Sequence, residues 1–193
     1  MLTIIDDFLP VTEHTKLLNY MTSQEFPWFY MSHASRAPGS FIPENAVETF
    51  AMTHSIHSKE DGMTSYTIDN FAPLLNALEQ HHSNNIDIFR VRAGLKTPKN
   101  GFTKNNYNVP HVDYFFPHNT GLYYVNASDG DTWVFDQTFE QFPEPTHFTV
   151  KQRIQPKPNR LILFSGLQYH TASNPINSDS RIIININYIE RAV

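Results

Sequence analysis

The chain opens on a short apolar run, Leu2-Thr3-Ile4-Ile5, which reads as a strand within residues 2–9 and leads into Asp6-Asp7-Phe8-Leu9-Pro10. Leu17, Leu18 and Met21 then share one side of a helix that begins at about Thr12, a residue type whose hydroxyl caps helix starts. Residues 24–30 are aromatic and irregular around Pro27-Trp28. Residues 31–65 hold no sustained period and contain Pro38, Gly39, Pro43 and Gly62, so they read as loops with short strands. Phe71, Leu74, Leu75 and Leu78 stand at i, i+3, i+4 and i+7, the stripe of an amphipathic helix that ends near His82. Pro73 fits such a helix only in its first turn.

From Ile86 the pattern changes to strand, turn, strand. A strand over Ile86–Leu95 is followed by segments near 110–116, 121–126, 131–136, 147–154, 160–165 and 181–190, separated by Gly, Asn, Asp and Pro clusters. Two helices followed by at least six strands predict a mainly β sandwich or barrel with helices packed outside one sheet. The last strand alternates cleanly. Ile182, Ile184, Ile186 and Tyr188 form a core face, whereas Arg181, Ile183, Asn185 and Asn187 put an arginine and two amides on the other.

Composition narrows the class. The 193 residues are 40% hydrophobic and 17% charged, which fits one domain over 1–193, with 1–85 as a helical and irregular support and 86–193 as the β core. There are ten histidines and no cysteine, so disulfide frameworks, thiolate metal sites and a cysteine nucleophile are excluded. A metal held by imidazole and carboxylate is not. The net charge of −5 argues against a nucleic-acid partner. No run approaches the ~18 apolar residues that span a bilayer, and the N-terminus lacks a signal-peptide pattern. The expectation is a cytoplasmic protein without a membrane partner, with a homodimer as one option.

Within the β region, His111-Val112-Asp113 starts the segment near 110, and alternate residues of a strand share a face. About sixty residues on, the apolar run Leu161-Ile162-Leu163-Phe164 is followed by His170, placed just past its end. Two imidazoles and one carboxylate make the facial triad of non-haem Fe(II). Arg181, eleven residues after His170, supplies a guanidinium suited to a carboxylate. A metal with open positions beside a carboxylate anchor describes a 2-oxo acid co-substrate.

These residues resemble the Fe(II)/2-oxoglutarate-dependent dioxygenases, on the prolyl-hydroxylase-like side. Gly121-Leu122-Tyr123-Tyr124-Val125-Asn126 and Gly130-Asp131-Thr132 add to the likeness, which covers roughly residues 86–190, and the opening Ile4-Ile5-Asp6-Asp7-Phe8-Leu9-Pro10 is also similar to starts in that group. The resemblance implies a double-stranded β-helix, or jelly roll, of cupin type. It implies Fe(II) on His111, Asp113 and His170, and 2-oxoglutarate held by Arg181 with help from Tyr124. O2 would be the oxidant, with ascorbate a candidate reductant. The implied reaction is hydroxylation of a C–H bond on a peptidyl residue, proline included, or on a small molecule, with release of succinate and CO2. Asp113 separates the chain from halogenases, which lack that carboxylate. Asn187 stands where nucleic-acid demethylases carry a second arginine, and collagen-type prolyl hydroxylases have lysine where this chain has Arg181. A cupin-like metal enzyme without 2-oxoglutarate and a non-catalytic jelly-roll binding protein remain alternatives.

Other conspicuous residues have plainer readings. Tyr107 reads as packing rather than co-substrate contact, a question also open for Asn185. His54 and His57 read as loop residues, His81 and His82 as a helix end, and Trp28 and Trp133 as packing. Arg90 and Arg92 share a strand face and read first as solvated, second as the lining of a cleft for an acidic substrate.

Overall fold

The computed structural model describes residues 2–33 and 42–191. Its elements in chain order are β1 (Thr3–Ile5), α1 (Val11–Met21), β2 (Phe29–Met31), β3 (Ala51–Ser58), β4 (Met63–Thr64), a 3-10 turn (Ile68–Phe71), α2 (Ala72–His81) and β5 (Ile86–Lys96). They continue with β6 (Asn119–Tyr124), β7 (Thr132–Thr138), β8 (Val150–Ile154), β9 (Arg160–Ser165), β10 (Gln168–Ala172) and β11 (Arg181–Glu190). The strands build two antiparallel sheets. The larger runs β1-β9-β6-β11-β5-β3-β2, with β4 on β3, and the smaller runs β10-β7-β8. This is the double-stranded β-helix, with helices on one side of the large sheet and the small sheet on the other.

Alternation along β11 explains the layering. Ile182, Ile184, Ile186 and Tyr188 are buried in a core shared with Leu17 and Met21 of α1, Phe71, and Leu74 and Leu78 of α2. Burying a leucine fully, as at Leu74 and Leu78, contributes roughly 1.5–3 kcal/mol. Pro73 lies at the start of α2, where its missing N–H costs nothing. Between the sheets, Leu122, Tyr124, Val134, Ile154, Ile162 and Phe164 form a second cluster. Tyr107, Trp133, Phe135 and Tyr169 form a third, so Tyr107 and Trp133 are packing residues.

Several expectations are revised. Helix α1 starts at Val11, not Thr12, and Thr12 does not cap it. Pro10 is the capping residue, and its carbonyl accepts from the amides of Glu13 and His14. The stretch 31–65 contains the eight-residue strand β3, whose polar sequence Ala-Met-Thr-His-Ser-Ile-His-Ser hides it. Its histidines are satisfied locally. His54 bonds the Pro27 carbonyl and the Ser65 hydroxyl, and His57 bonds the Thr64 hydroxyl. Residues 34–41, with Pro38 and Gly39, lie outside the described residues. The segment expected as a strand at 110–116 forms only an isolated antiparallel bridge, His111 to His170. His170 does not trail β9 but sits inside its own strand, β10. Trp28 packs on Phe26 and donates to the Met21 carbonyl.

Candidate metal centre

His111, Asp113 and His170 converge. Their ligand atoms all lie within 4.8 Å of one another, and they are the one such cluster of histidine and acidic groups among the described residues. Paired backbone hydrogen bonds of 3.0 Å between His111 and His170 fix the two rings side by side. Each ring is turned the same way. His111 Nδ1 lies 3.2 Å from the Val109 carbonyl, and His170 Nδ1 lies 3.0 Å from the Gln168 carbonyl. A carbonyl accepts only, so both Nδ1 atoms carry a proton and both Nε2 atoms are turned toward the shared point. Burial, then the neighbouring His170, pushes the His111 pKa down to about 4, which keeps that ring neutral and able to ligate.

The carboxylate is held as firmly. Asp113 Oδ2 accepts from the side-chain amides of Asn185 (2.9 Å) and Asn187 (3.0 Å), both from the polar face of β11. That leaves Oδ1 toward His111 Nε2, 4.0 Å away, with Arg90 Nη1 at 3.4 Å. Burial would raise this carboxyl, but the electrostatic influence of its neighbours, the His170 imidazole, the Arg90 guanidinium and the His111 imidazole, and the Asn187 bond hold it well below the usual carboxylate range. Two imidazoles and an ionised carboxylate, each pre-oriented from behind, form a donor set of the type that takes Fe(II).

The triad opens into a cavity of roughly 700 Å³, counted out to its mouth. Arg181 lines its far end. It is 4% exposed, donates through Nε to the Gly130 carbonyl (2.7 Å) and through Nη2 to Thr132 Oγ1 (2.7 Å). A Cβ on Gly130 would fall 2.8 Å from the Ser173 carbonyl oxygen and 3.1 Å from Arg181 Cδ, so only glycine lets the loop come this close. Tyr124 is fully buried and not on the cavity wall. Its hydroxyl donates to Thr132 Oγ1 at 2.7 Å, and Thr132 is on the wall. With Tyr124 and Arg181 both donating to it, the Thr132 oxygen uses its two lone pairs, and its own proton is free to point into the cavity.

Lys96 faces Arg181 across the β5–β11 ladder. It is buried on the same wall, bonded to Thr49 Oγ1 (3.1 Å) and Asn108 Oδ1 (3.0 Å), which also bond each other. Sequence reading missed it because Lys96 follows the last apolar residue of β5 and precedes Thr97-Pro98. The available signal was its two-residue spacing from Arg90, Arg92 and Gly94 on one strand face. Arg90 and Arg92 are not solvated; both line the cavity. Asn185 also lines it, bonded to Asp113.

Neither a family model nor a curated protein matches this sequence. Solved structures do match in fold. An alpha-ketoglutarate-dependent non-haem epimerase of nogalamycin biosynthesis, SnoN, superposes with a TM-score of 0.63 at 13% identity, covering 98% of this chain and 78% of that one. A 2OG-Fe(II) oxygenase family protein from Burkholderia pseudomallei gives 0.62 at 13% identity, covering 99% and 87%. A prolyl hydroxylase from Trichoplax adhaerens, in complex with a hypoxia inducible factor peptide, gives 0.59 at 19% identity, covering 98% and 83%. The chain therefore has the double-stranded β-helix fold of the 2-oxoglutarate- and Fe(II)-dependent oxygenases, with prolyl hydroxylases among its structural neighbours.

Proposed function

We propose that the protein is an Fe(II)- and 2-oxoglutarate-dependent dioxygenase, one catalytic unit over 1–193, that hydroxylates a C–H bond and releases succinate and CO2. One observation carries this reading: a single cavity joins the His111–Asp113–His170 triad to a buried cationic end formed by Arg181 and Lys96. Two buried cations with only neutral oxygen partners are costly unless an anion joins them. A diacid with a metal-chelating 2-oxo acid head and a distal carboxylate fits both ends at once. Arg181 would take that distal carboxylate, with Thr132 donating beside it and Tyr124 orienting Thr132 from behind. His111, Asp113 and His170 would hold the metal, and iron and 2-oxoglutarate, once bound, would supply the oxygen-activating chemistry. Asn185 and Asn187 keep Asp113 ionised and aimed.

The test is anaerobic loading with Fe(II) and 2-oxoglutarate followed by oxygen and succinate quantification. Wild type should form succinate, and His170→Ala should not. Arg181→Ala should weaken 2-oxoglutarate binding at least tenfold, the scale of a lost charge-assisted pair. Metal binding with unchanged 2-oxoglutarate affinity in Arg181→Ala would identify a cupin-like enzyme that does not use this co-substrate. No metal binding dependent on His111 and His170 would identify a non-catalytic jelly roll.

A further inference from the structure

The cavity carries more positive charge than its co-substrate needs. Arg90, Arg92, Lys96 and Arg181 line it, against one carboxylate, Asp113, in a chain whose net charge is −5. The four cations form two groups. Lys96 pairs with Arg181 at one end of the β5–β11 ladder, while Arg92 pairs with Asn185 and Arg90 with Asn187 toward the other. Gly94 and Ile183 lie between the groups. Four residue steps along β5 separate Lys96 from Arg92, or about 13 Å at ~3.3 Å per residue. A five-carbon diacid held by Arg181 and chelated at the triad cannot also reach Arg92.

Arg90 and Arg92 differ in their partners. Arg90 faces Asp113 at 3.4 Å and donates to Asn187 Oδ1, so its charge is already met. Arg92 donates to the Thr53 hydroxyl at 2.6 Å and lies 2.8 Å from Met31 Sδ. Among the described residues no carboxylate pairs with it. Burial, then the charge of Arg90, pushes its pKa down to about 10, as expected for a guanidinium short of a counter-ion. Thr53, which Arg92 bonds, stands on the cavity wall with it, so an anion meets Arg92 by entering the cavity.

We propose that the substrate is a small organic acid whose carboxylate is received by Arg92, with Arg90 beside it, at the end of the cavity opposite Arg181 and Lys96. This rests on the oxygenase reading, because it assigns the Arg181 end to the co-substrate. The guanidinium would anchor the acid with its carbon skeleton lying over the triad, so that the carbon presented for reaction is set by its distance from the carboxylate.

The test uses propionate and propionamide as matched probes of the protein loaded with Mn(II) and saturating 2-oxoglutarate. Paramagnetic relaxation of the probe methyl protons reports residence near the metal. The acid should be relaxed saturably and the amide not. Arg92→Met should weaken the acid's effect at least tenfold, and Arg92→Lys should retain most of it. Mn(II) and 2-oxoglutarate affinities within about threefold of wild type show that the variant is folded, a tenfold change being 1.4 kcal/mol. Equal relaxation by acid and amide, relaxation by neither, or an undiminished effect in Arg92→Met overturns the proposal. Failure of wild type to bind Mn(II) or 2-oxoglutarate instead overturns the oxygenase reading beneath it.

Discussion

Lys96 shows how a buried charge can be tolerated in wait for a ligand. Its ammonium has hydroxyl and amide oxygens as partners, faces Arg181 from β11, and has Arg92 and Lys99 from its own side of the molecule. Burial, then those cations, lowers its pKa from 10.5 to about 7. Between these values the unfolded chain holds more protons than the folded one, so the stability of the ligand-free protein should rise with pH from about 7 toward 10.5. The slope from this one group is at most about 1.4 kcal/mol per pH unit. Urea midpoints at pH 7 and pH 9 should rise more in wild type than in Lys96→Met; parallel behaviour would mean that Lys96 keeps an ordinary pKa. At the same scale, the triad and Arg181 were legible in the sequence because each carries its chemistry in its residue type and order. Lys96 and Thr132 were not, since their roles depend on which residue faces which across the β5–β11 ladder and on which side chain bonds Arg181. Alternation gives a strand its faces but not its register.

Between β9 and β10 the chain turns through Gly166, and this element boundary decides where His170 sits. A Cβ at Gly166 would fall 2.0 Å from His118 Nε2, inside the ring of a buried histidine whose Nδ1 bonds the Phe116 carbonyl. Gly166→Ala should therefore displace the His118 ring or the turn, at a cost of about 1–3 kcal/mol for an overpacked site. Chemical denaturation measures it, and a change below ~0.5 kcal/mol would show that the ring moves freely. The elements read well from sequence where one face is apolar, as in α2 and β11. They were obscure where pairing partners, not pattern, make the strand. β3 is polar along most of its length and exists because β5 offers it a ladder. The segment around His111 has the opposite history: its alternating His-Val-Asp looks like a strand, yet it pairs only through one bridge. His111 and Asp113 still converge, because the Asn185 and Asn187 amides fix Asp113 from the other sheet.

Across the whole molecule, the large sheet is supported twice, by the helices on one side and by the inter-sheet cluster on the other. No helix among the described residues is long and apolar enough to cross a membrane. The site lies between the sheets and draws its parts from both, with Arg181, Lys96 and the two asparagines from the large sheet and His170 from the small one. The two histidines meet across the isolated bridge, where two backbone hydrogen bonds pair them and a third, from the Asn108 amide to the Ala172 carbonyl, ties the same segment to β10. A metal bound there would cross-link the same two residues through their rings. Local opening of this corner would then cost more by the metal's binding energy, while β5 and β11, central in the large sheet, would be unaffected. Hydrogen–deuterium exchange should accordingly slow at the His111 and His170 amides on loading with Mn(II) and leave β11 unchanged. Uniform slowing, or none, would rule this out. Metal loading would thus act as a clamp on one seam, the junction of β10 with the segment around His111, and leave the large sheet as it was.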